Sequence, residues 1–190
     1  AVRIMRGRPP GSPRGVWSAA SAVDKRREPH FEELQSVDAD RWLQRFPPDR
    51  RGFFLESGLQ VAGTGRWHIL GIDPLETFEA RGQRWTLRRA GGETTEGEAD
   101  PLDAFEMWWQ SWAHHHDSPI PSLPFQGGAV GWIWYEAADR FLGVSSPRKM
   151  PTGAVAKLLE DVPDLSWSLY DEVIVIDAEE GRGWFVHRAR

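Results

Sequence analysis

The chain has 190 residues, a formal net charge of -5 at pH 7 and no cysteine. Its length fits one domain, and its 40% hydrophobic and 27% charged residues are typical of an ordinary globular protein. The acidic balance argues against nucleic acid as the main partner, the lack of cysteine excludes a disulfide scaffold, and no run approaches the roughly 18 apolar residues of a membrane span. We therefore expect a cytoplasmic protein with neither nucleic acid nor a membrane as its partner.

The first 30 residues differ in composition from the rest of the chain. They contain the segments RGRPPGSPRG and DKRREP, which are basic, rich in proline and glycine, and almost without apolar periodicity. This composition predicts a flexible N-terminal arm over residues 1–30 and a folded domain over residues 31–190. An organelle-targeting address, which is rich in arginine and poor in acids, is the alternative for the arm.

Short periodic segments follow the arm. Residues 40–46, DRWLQRF, place apolar side chains at helical spacing before two prolines and predict a short helix. Residues 52–57 and 66–72 predict two strands, and residues 78–88 predict a hairpin. The polar segment 90–100, AGGETTEGEAD, predicts a loop.

Asp100 is the predicted N-cap of a longer helix. Pro101 fits the first helical position, and Asp103 complements the positive end of the helix dipole. Apolar residues then recur at intervals of three or four, at Leu102, Phe105, Trp108, Trp109 and Trp112. The three histidines that end this segment, His114, His115 and His116, would point about 100° apart on a helix, so they predict a C-terminal cap rather than a metal site.

The segment 125–141, FQGGAVGWIWYEAADRF, is the densest in special residues. Gly127 and Gly128 can adopt positive φ, and Gly131 within a strand pattern marks a close approach of another element. Apolar side chains occupy both faces at period two, which predicts a central strand covered on both sides. A helical pattern follows from Glu136.

The end of the chain predicts a second hairpin. Residues 169–177 and 184–188 read as strands that flank the turn EEGRG. With the elements above, this makes about seven strands, mostly in antiparallel hairpins, and three or four packed helices. We therefore predict an α+β fold of mostly antiparallel sheets.

No catalytic constellation is found in the sequence. Nucleotide-binding, zinc-protease and nucleophile-elbow motifs are absent, and there is no cysteine nucleophile. Glu136 directly follows the predicted central strand, and we interpret it as a cap or an arginine partner rather than a general base. The sequence therefore predicts no catalytic residue in this chain.

One polar cluster is a candidate binding site. Glu56 and Ser57 end one predicted strand, and Arg66 and Trp67 begin the strand that should pair with it. An acid and a guanidinium beside an indole could hold a small zwitterion, with the acid on the ammonium and the arginine on the carboxylate. The structural alternative is an ordinary cross-strand ion pair between Glu56 and Arg66, which contributes little if exposed.

Five blocks in register resemble the N-terminal region of component I of aminodeoxychorismate synthase and anthranilate synthase. They are LESG at 55–58, GRWHILGIDP at 65–74, DPLDAF at 100–105, PFQGGAVGWIWYE at 124–136 and VPDLSWSLYDEVIVID at 162–177. The resemblance covers about residues 40–190 and implies the N-terminal part of the anthranilate synthase component I-like α/β sandwich. The short turn before GRW is more similar to the aminodeoxychorismate synthases.

The resemblance implies a function at the level of the family. Such an enzyme adds ammonia, delivered by a glutamine amidotransferase subunit called component II, to magnesium-bound chorismate, and forms 4-amino-4-deoxychorismate for 4-aminobenzoate and folate. In the family, chorismate, Mg²⁺ and the catalytic groups belong to a larger C-terminal region that these 190 residues do not include. We therefore expect no activity from this chain alone, no metal ligand in it, and an exposed apolar surface where the C-terminal region would pack.

The resemblance also implies half of a tryptophan effector pocket. Leu55, Glu56 and Ser57 match one block of that pocket, and Arg66 and Trp67 match the other. Trp67 and His68 depart from the family pattern, in which smaller pairs are usual, and the indole of Trp67 could itself fill the pocket.

Three functions remain open at this level. The first is the non-catalytic N-terminal part of aminodeoxychorismate synthase component I, which covers the catalytic sheet and helps to dock the amidotransferase. The second is the equivalent part of anthranilate synthase component I, with a tryptophan feedback site. The third is a stand-alone amino-acid-binding module. Inhibition by tryptophan separates the first two, and the reading frame beyond Arg190 tests the third.

Overall fold

Two antiparallel sheets organise the part of the chain that the structure describes. A computed structural model describes residues 29–35, 37–45, 49–56, 65–112, 122–134, 137, 152–154, 157 and 162–188. Within those ranges, ten strands and two helices have complete bounds, and the strands form two five-stranded sheets. The predicted α+β class with mostly antiparallel sheets is confirmed.

The first sheet has the strand order β1-β10-β9-β3-β2, with every neighbouring pair antiparallel. Its strands are β1 (Pro29–Glu33), β2 (Gly52–Leu55), β3 (Trp67–Ile72), β9 (Glu172–Asp177) and β10 (Arg182–Arg188). Helix α1 (Ala39–Leu43) packs its Ala39 and Trp42 against one face of this sheet, at a cluster formed by Leu70, Ile174 and Ile176. Strand β1 includes Pro29 and His30, the last two residues of the predicted N-terminal arm. Residues 1–28 lie outside the described residues, so the flexible arm stays a prediction.

The second sheet has the order β6-β5-β4-β8-β7, and it is also antiparallel throughout. Its strands are β4 (Glu76–Arg81), β5 (Arg84–Arg89), β6 (Thr94–Glu98), β7 (Gly128–Ile133) and β8 (Leu165–Tyr170). Helix α2 (Pro101–Trp112) packs on one face and buries Ala104 and Trp108 against Phe78 and Leu87. The predicted Asp100 cap is confirmed, because its Oδ1 accepts from the backbone N–H of Leu102 at 2.9 Å.

Two adjacent segments carry the chain from one sheet to the other. Residues 73–75 join β3 to β4, and Asp171 alone joins β8 to β9. Asp73 adopts a φ of 55°, a left-handed conformation that aspartate tolerates, and its backbone N–H donates to the carbonyl of Arg51 at 2.9 Å. The prediction of one continuous strand over 169–177 is therefore wrong. Two adjacent charged residues, Asp171 and Glu172, interrupt the apolar run where the chain changes sheet.

The glycine-rich strand β7 lies at the edge of the second sheet, so the prediction of a central strand is wrong. Its apolar pattern has a different cause. Ala129 packs against the cluster under α2, whereas Val130 packs against the cluster of the first sheet, so the beginning of β7 lies between two cores. Its end is exposed, with relative accessibilities of 44% at Trp132 and 46% at Ile133.

The predicted roles of the glycines on this strand are confirmed. Gly127 and Gly128 have φ values of 98° and 143°. A Cβ at Gly131 would lie 2.6 Å from the ring of Trp167 on β8, so another element does approach closely there.

The predicted loop over 90–100 contains strand β6, which pairs with β5 along five residues. The segment is polar because β6 is an edge strand, and Gly97 lies under the ring of Trp85 on β5. The strand count of about seven was therefore too low.

The described residues contain two helices with complete bounds, fewer than the three or four predicted, and the fold class is unaffected. Besides α1 and α2, the backbone is helical at Ala137, Ala154 and Lys157, within two further segments with a helical pattern. The other residues predicted there, including Glu136, and the histidines at 114–116 lie outside the described residues. No helix in the described ranges is long and apolar enough to cross a membrane.

Candidate functional site

The predicted site lies at the open edge of the first sheet, where β2 ends and β3 begins. Leu55 is the last residue of β2, pairs with Ile69 and is 49% exposed. Glu56 follows it at the surface, and Ser57 lies outside the described residues. Continuing the antiparallel register places Glu56 opposite His68 rather than opposite Arg66.

Arg66 is bound by carboxylates that sequence reasoning did not find. Its Nε and Nη2 donate to Oδ2 of Asp177 at 2.9 and 2.5 Å, and Nη2 also donates to Oε1 of Glu180 at 2.9 Å. Oε2 of Glu179 lies 3.7 Å from Nε. The predicted cross-strand pair between Glu56 and Arg66 is therefore wrong, because the guanidinium turns toward β9 and the turn that follows it.

Asp177 is the buried centre of this cluster, with 1% of its surface exposed. Burial alone would raise the pKa of its carboxyl group. Hydrogen bonds from Arg66 and from the backbone N–H groups of Glu180 and Glu179, together with the charge of Arg66, outweigh burial and hold the pKa below its usual value. Asp177 is thus a structural anion at neutral pH.

Trp67, the first residue of β3, packs its side chain inward. Its side chain joins the cluster of Tyr170, Val173 and Val175 between the two sheets, and the guanidinium carbon of Arg66 lies 5.0 Å from its ring centroid. This distance is within the range of a cation–π contact. Asp177 also raises the pKa of Arg66, so the arginine stays charged while it covers the indole.

Glu56 faces His68 instead. Its Oε1 lies 3.7 Å from Nδ1 of His68, and this Nδ1 is a buried atom with no hydrogen-bond partner among the described residues. The imidazole stacks on Phe54, with ring centroids 6.3 Å apart. Glu56 therefore contacts His68, whereas Trp67 packs in the cluster between the two sheets. Trp67 and His68 are adjacent in β3, so their side chains point to opposite faces of the sheet.

The arrangement differs from a preformed zwitterion site. Three carboxylates against one guanidinium leave a formal charge of -2 around Arg66, so a ligand carboxylate would have to displace protein carboxylates to reach it. Across the described residues, no group of three or more His, Cys, Asp or Glu side chains could hold a metal ion.

Comparisons with known proteins extend this description. No protein-family model matches the chain. Aminodeoxychorismate synthase component 1 of Bacillus subtilis is 28% identical over 152 residues, which cover 77% of this chain and 29% of that protein. The same component of Salmonella typhimurium is 32% identical over 126 residues, or 66% of this chain and 26% of that protein. Anthranilate synthase alpha subunit 2 of Arabidopsis thaliana is 28% identical over 138 residues, which cover 72% of this chain and 21% of that protein.

A solved structure is also similar. Anthranilate synthase component I from Streptococcus pneumoniae matches with a TM-score of 0.45 and 20% identity, over 77% of this chain and 28% of that one. This chain thus spans about a quarter of the length of the curated relatives it matches. The resemblance carried by the five sequence blocks is confirmed: the chain is a homologue of component I of the aminodeoxychorismate and anthranilate synthases.

Proposed function

We propose that this chain is the non-catalytic N-terminal part of component I of an aminodeoxychorismate synthase. The observation that carries the proposal is the set of matches. Three aminodeoxychorismate synthase relatives are 28%, 32% and 33% identical to this chain, whereas five anthranilate synthase relatives are 26% to 30% identical. The short connection between β2 and β3 favours the same branch.

The proposed reaction belongs to the whole component I. Ammonia from a glutamine amidotransferase, component II, would replace the hydroxyl group of Mg²⁺-bound chorismate and give 4-amino-4-deoxychorismate. The resemblance implies that the chorismate site and the Mg²⁺ ligands lie in the C-terminal region of component I, and we propose the same location for them here.

The proposed contribution of this chain is a rigid scaffold. Strands β3 and β9 pair in the first sheet, and their continuations β4 and β8 pair in the second, so one two-stranded ribbon runs through both sheets. Clusters on both faces of the ribbon bury its apolar side chains. Such a ribbon can hold the two sheets in a fixed relation without catalytic groups of its own.

A tryptophan effector pocket at Leu55, Glu56, Ser57, Arg66 and Trp67 stays a prediction. The contacts of Arg66 with Asp177 and Glu180 weigh against its use as an anchor for a free carboxylate. We therefore propose weak inhibition or none by tryptophan, which is the expected behaviour of the folate branch rather than of an anthranilate synthase.

A chimera tests the proposal. In it, residues 1–190 of this chain replace the matched segment of Bacillus subtilis aminodeoxychorismate synthase component 1, and the product is assayed with chorismate, glutamine and component II. We expect 4-amino-4-deoxychorismate from the chimera and none from the 190-residue chain alone. The matched control is the Bacillus subtilis protein with its segment deleted, which should be inactive.

Two outcomes would contradict the proposal. Strong inhibition of the chimera by tryptophan would assign the chain to the anthranilate synthase branch. Binding of free tryptophan by the chain alone, measured by calorimetry and combined with an inactive but folded chimera, would favour the stand-alone binding module.

A further inference from the structure

Strand β2 carries one end of the candidate site, and the first sheet holds it along one side only. Among the described residues it is an edge strand that pairs with β3, and it ends at Leu55, directly before Glu56. A strand held by a single ladder opens more easily than a central strand. The contacts of β2 outside that ladder therefore determine how firmly this side of the site is held.

The beginning of β2 is tied to the segment where the chain changes sheet. Nε of Arg50 donates to Oδ1 of Asp73 at 2.5 Å, and Nη2 of Arg50 donates to Oδ2 of the same residue. The backbone N–H of Asp73 donates to the carbonyl of Arg51 at 2.9 Å. Because Asp73 directly follows β3 and leads to β4, these bonds hold Arg51 next to the junction of the two sheets.

The side chain of Arg51 extends this connection to the second sheet. Its Nη1 donates to Oε1 of Glu79 on β4 at 3.5 Å. Two residues further on, and on the same face of the strand, the ring of Phe53 packs edge-on to Tyr170 at the end of β8, with ring centroids 4.7 Å apart. An edge strand of the first sheet thus contacts the second sheet through one ion pair and one aromatic pair.

Glu79 has a second cationic partner within its own sheet. Its Oε2 accepts from Arg88 on β5, so Glu79 stays paired when Arg51 leaves it. The side chain of Glu79 is 22% exposed, whereas that of Arg51 is 58% exposed. An ion pair this exposed changes an equilibrium by no more than about fivefold. Such a factor is small for global unfolding but sizeable for the local opening of an edge strand.

We propose that Arg51 and Glu79 form an ionic clasp that couples the candidate-site strand β2 to the second sheet. While the clasp is closed, β2 stays paired with β3; when it opens, β2 leaves more often and takes Leu55 and Glu56 with it. Because energetic coupling is reciprocal, a ligand that orders the end of β2 also favours the closed clasp. The inference concerns these contacts alone and does not depend on the reaction of the whole component I.

Hydrogen–deuterium exchange with residue resolution in the 190-residue chain tests the proposal. The bond from Asp73 to Arg51 makes these two residues a hydrogen-bonded pair, so alternation along the ladder directs the amides of Phe53 and Leu55 toward β3. Both amides exchange when β2 leaves β3. Although Glu79→Gln changes a residue of the other sheet, it should speed their exchange by about two- to fivefold. Unchanged exchange at both amides would overturn the proposal.

A double-mutant cycle identifies the clasp as the cause. Arg51→Gln should speed the same two amides by the same factor, and the double variant with Glu79→Gln should exchange no faster than either single variant, because both substitutions remove one interaction. Arg88→Gln is the matched control. It also removes a cationic partner of Glu79, but it leaves the contact with Arg51 in place and should not speed exchange. Additive single effects, or an equal effect of the control, would refute the clasp.

Ionic strength provides an independent measurement. The Debye length falls to about 3 Å at 1 M salt, so such a concentration should remove the difference in exchange between the wild type and Glu79→Gln. A difference that persists would assign the effect of Glu79 to packing and overturn the proposal. If the 190-residue chain does not fold alone, the same variants are measured in the chimera. An active chimera without the coupling would refute only this inference, and an inactive one with the coupling would refute only the proposed function.

Discussion

The indole of Trp167 lies directly against the backbone of Gly131 on the neighbouring strand. A Cβ on Gly131 would approach the Trp167 ring to 2.6 Å and the carbonyl oxygen of Ser166 to 2.2 Å. The same relation recurs between Trp85 and Gly97 on paired strands β5 and β6. In both pairs the bare backbone of an edge strand accommodates an aromatic ring from its partner, and the ring shields that backbone from water.

Gly131→Ala should therefore destabilise the protein by about 1–3 kcal/mol, because the added methyl group overlaps the backbone carbonyl of Ser166, which cannot move without breaking the β7–β8 ladder. Urea unfolding measures the free-energy difference. Gly91→Ala is the matched control, since its Cβ would meet no atom within 4 Å, and it should be nearly neutral. Equal effects of the two substitutions would contradict the packing described here.

Asp177→Asn should cost about 2 kcal/mol at pH 7, since charge-assisted hydrogen bonds from Arg66 and two backbone amides lose their anion. The pKa of Asp177 is lower in the folded state than in the unfolded chain, so its contribution is complete above the unfolded value of about 3.9 and is lost as pH falls through the folded value. The variant should show a smaller acid-induced loss of stability than the wild type.

Urea unfolding at several pH values between about 2 and 7 checks this linkage. Glu179→Gln serves as the control, because Glu179 is 73% exposed and lies 3.7 Å from Arg66. Surface ion pairs of this kind contribute little, so the control should keep the acid dependence of the wild type. The assignment to Asp177 fails if both variants behave alike.

Glu76→Ala should loosen α2 from the second sheet. One oxygen of Glu76 accepts from the indole N–H groups of Trp108 and Trp112 at 2.7 and 3.0 Å, and the other accepts from Arg89 at 2.9 Å. Because Trp108 is buried, its indole N–H would be left without a hydrogen-bond partner. Together with the lost ion pair to Arg89, this should lower the free energy of unfolding by about 2–4 kcal/mol.

Glu76→Gln retains a carbonyl acceptor and should recover part of that loss, which distinguishes hydrogen bonding from charge. Glu79→Ala is the surface comparison, with ion pairs to the exposed Arg51 and Arg88 and an expected cost below about 1 kcal/mol. Urea unfolding followed by circular dichroism measures the free-energy loss in each variant. If Glu79→Ala lowered the free energy of unfolding as much as Glu76→Ala, the role of Glu76 in holding α2 on the sheet would be contradicted.

Tyr170 should make the protein sensitive to alkali. Burial raises the pKa of its hydroxyl group above the usual value near 10, and its ring packs edge-on to Phe53 at 4.7 Å. A raised folded pKa gives stability that is complete below the unfolded value and is lost as pH rises through the folded one. Thermal unfolding of the wild type should therefore shift downward above about pH 10, and Tyr170→Phe should remove most of that shift. An unchanged alkaline shift in Tyr170→Phe would contradict this origin.

Local signals in the sequence determined several elements of this protein. Asp100 before Pro101 marked the start of α2, because the cap and the first helical position need only neighbouring residues. Gly131 marked a close approach, since a glycine within an apolar strand implies contact with its backbone. The five sequence blocks identified the family, because they preserve spacing as well as composition.

Only the tertiary structure decided which strands are neighbours and where the chain changes sheet. Arg66 and Asp177 are 111 positions apart, and their pairing depends on the register between β3 and β9, which no local pattern specifies. Asp171 and Glu172 interrupt the apolar run, but two charged residues do not by themselves specify a change of sheet. The pattern of β7 is the same between two cores as in the centre of a sheet. Side-chain periodicity predicts which residues are buried, but it does not predict which element of the fold covers them.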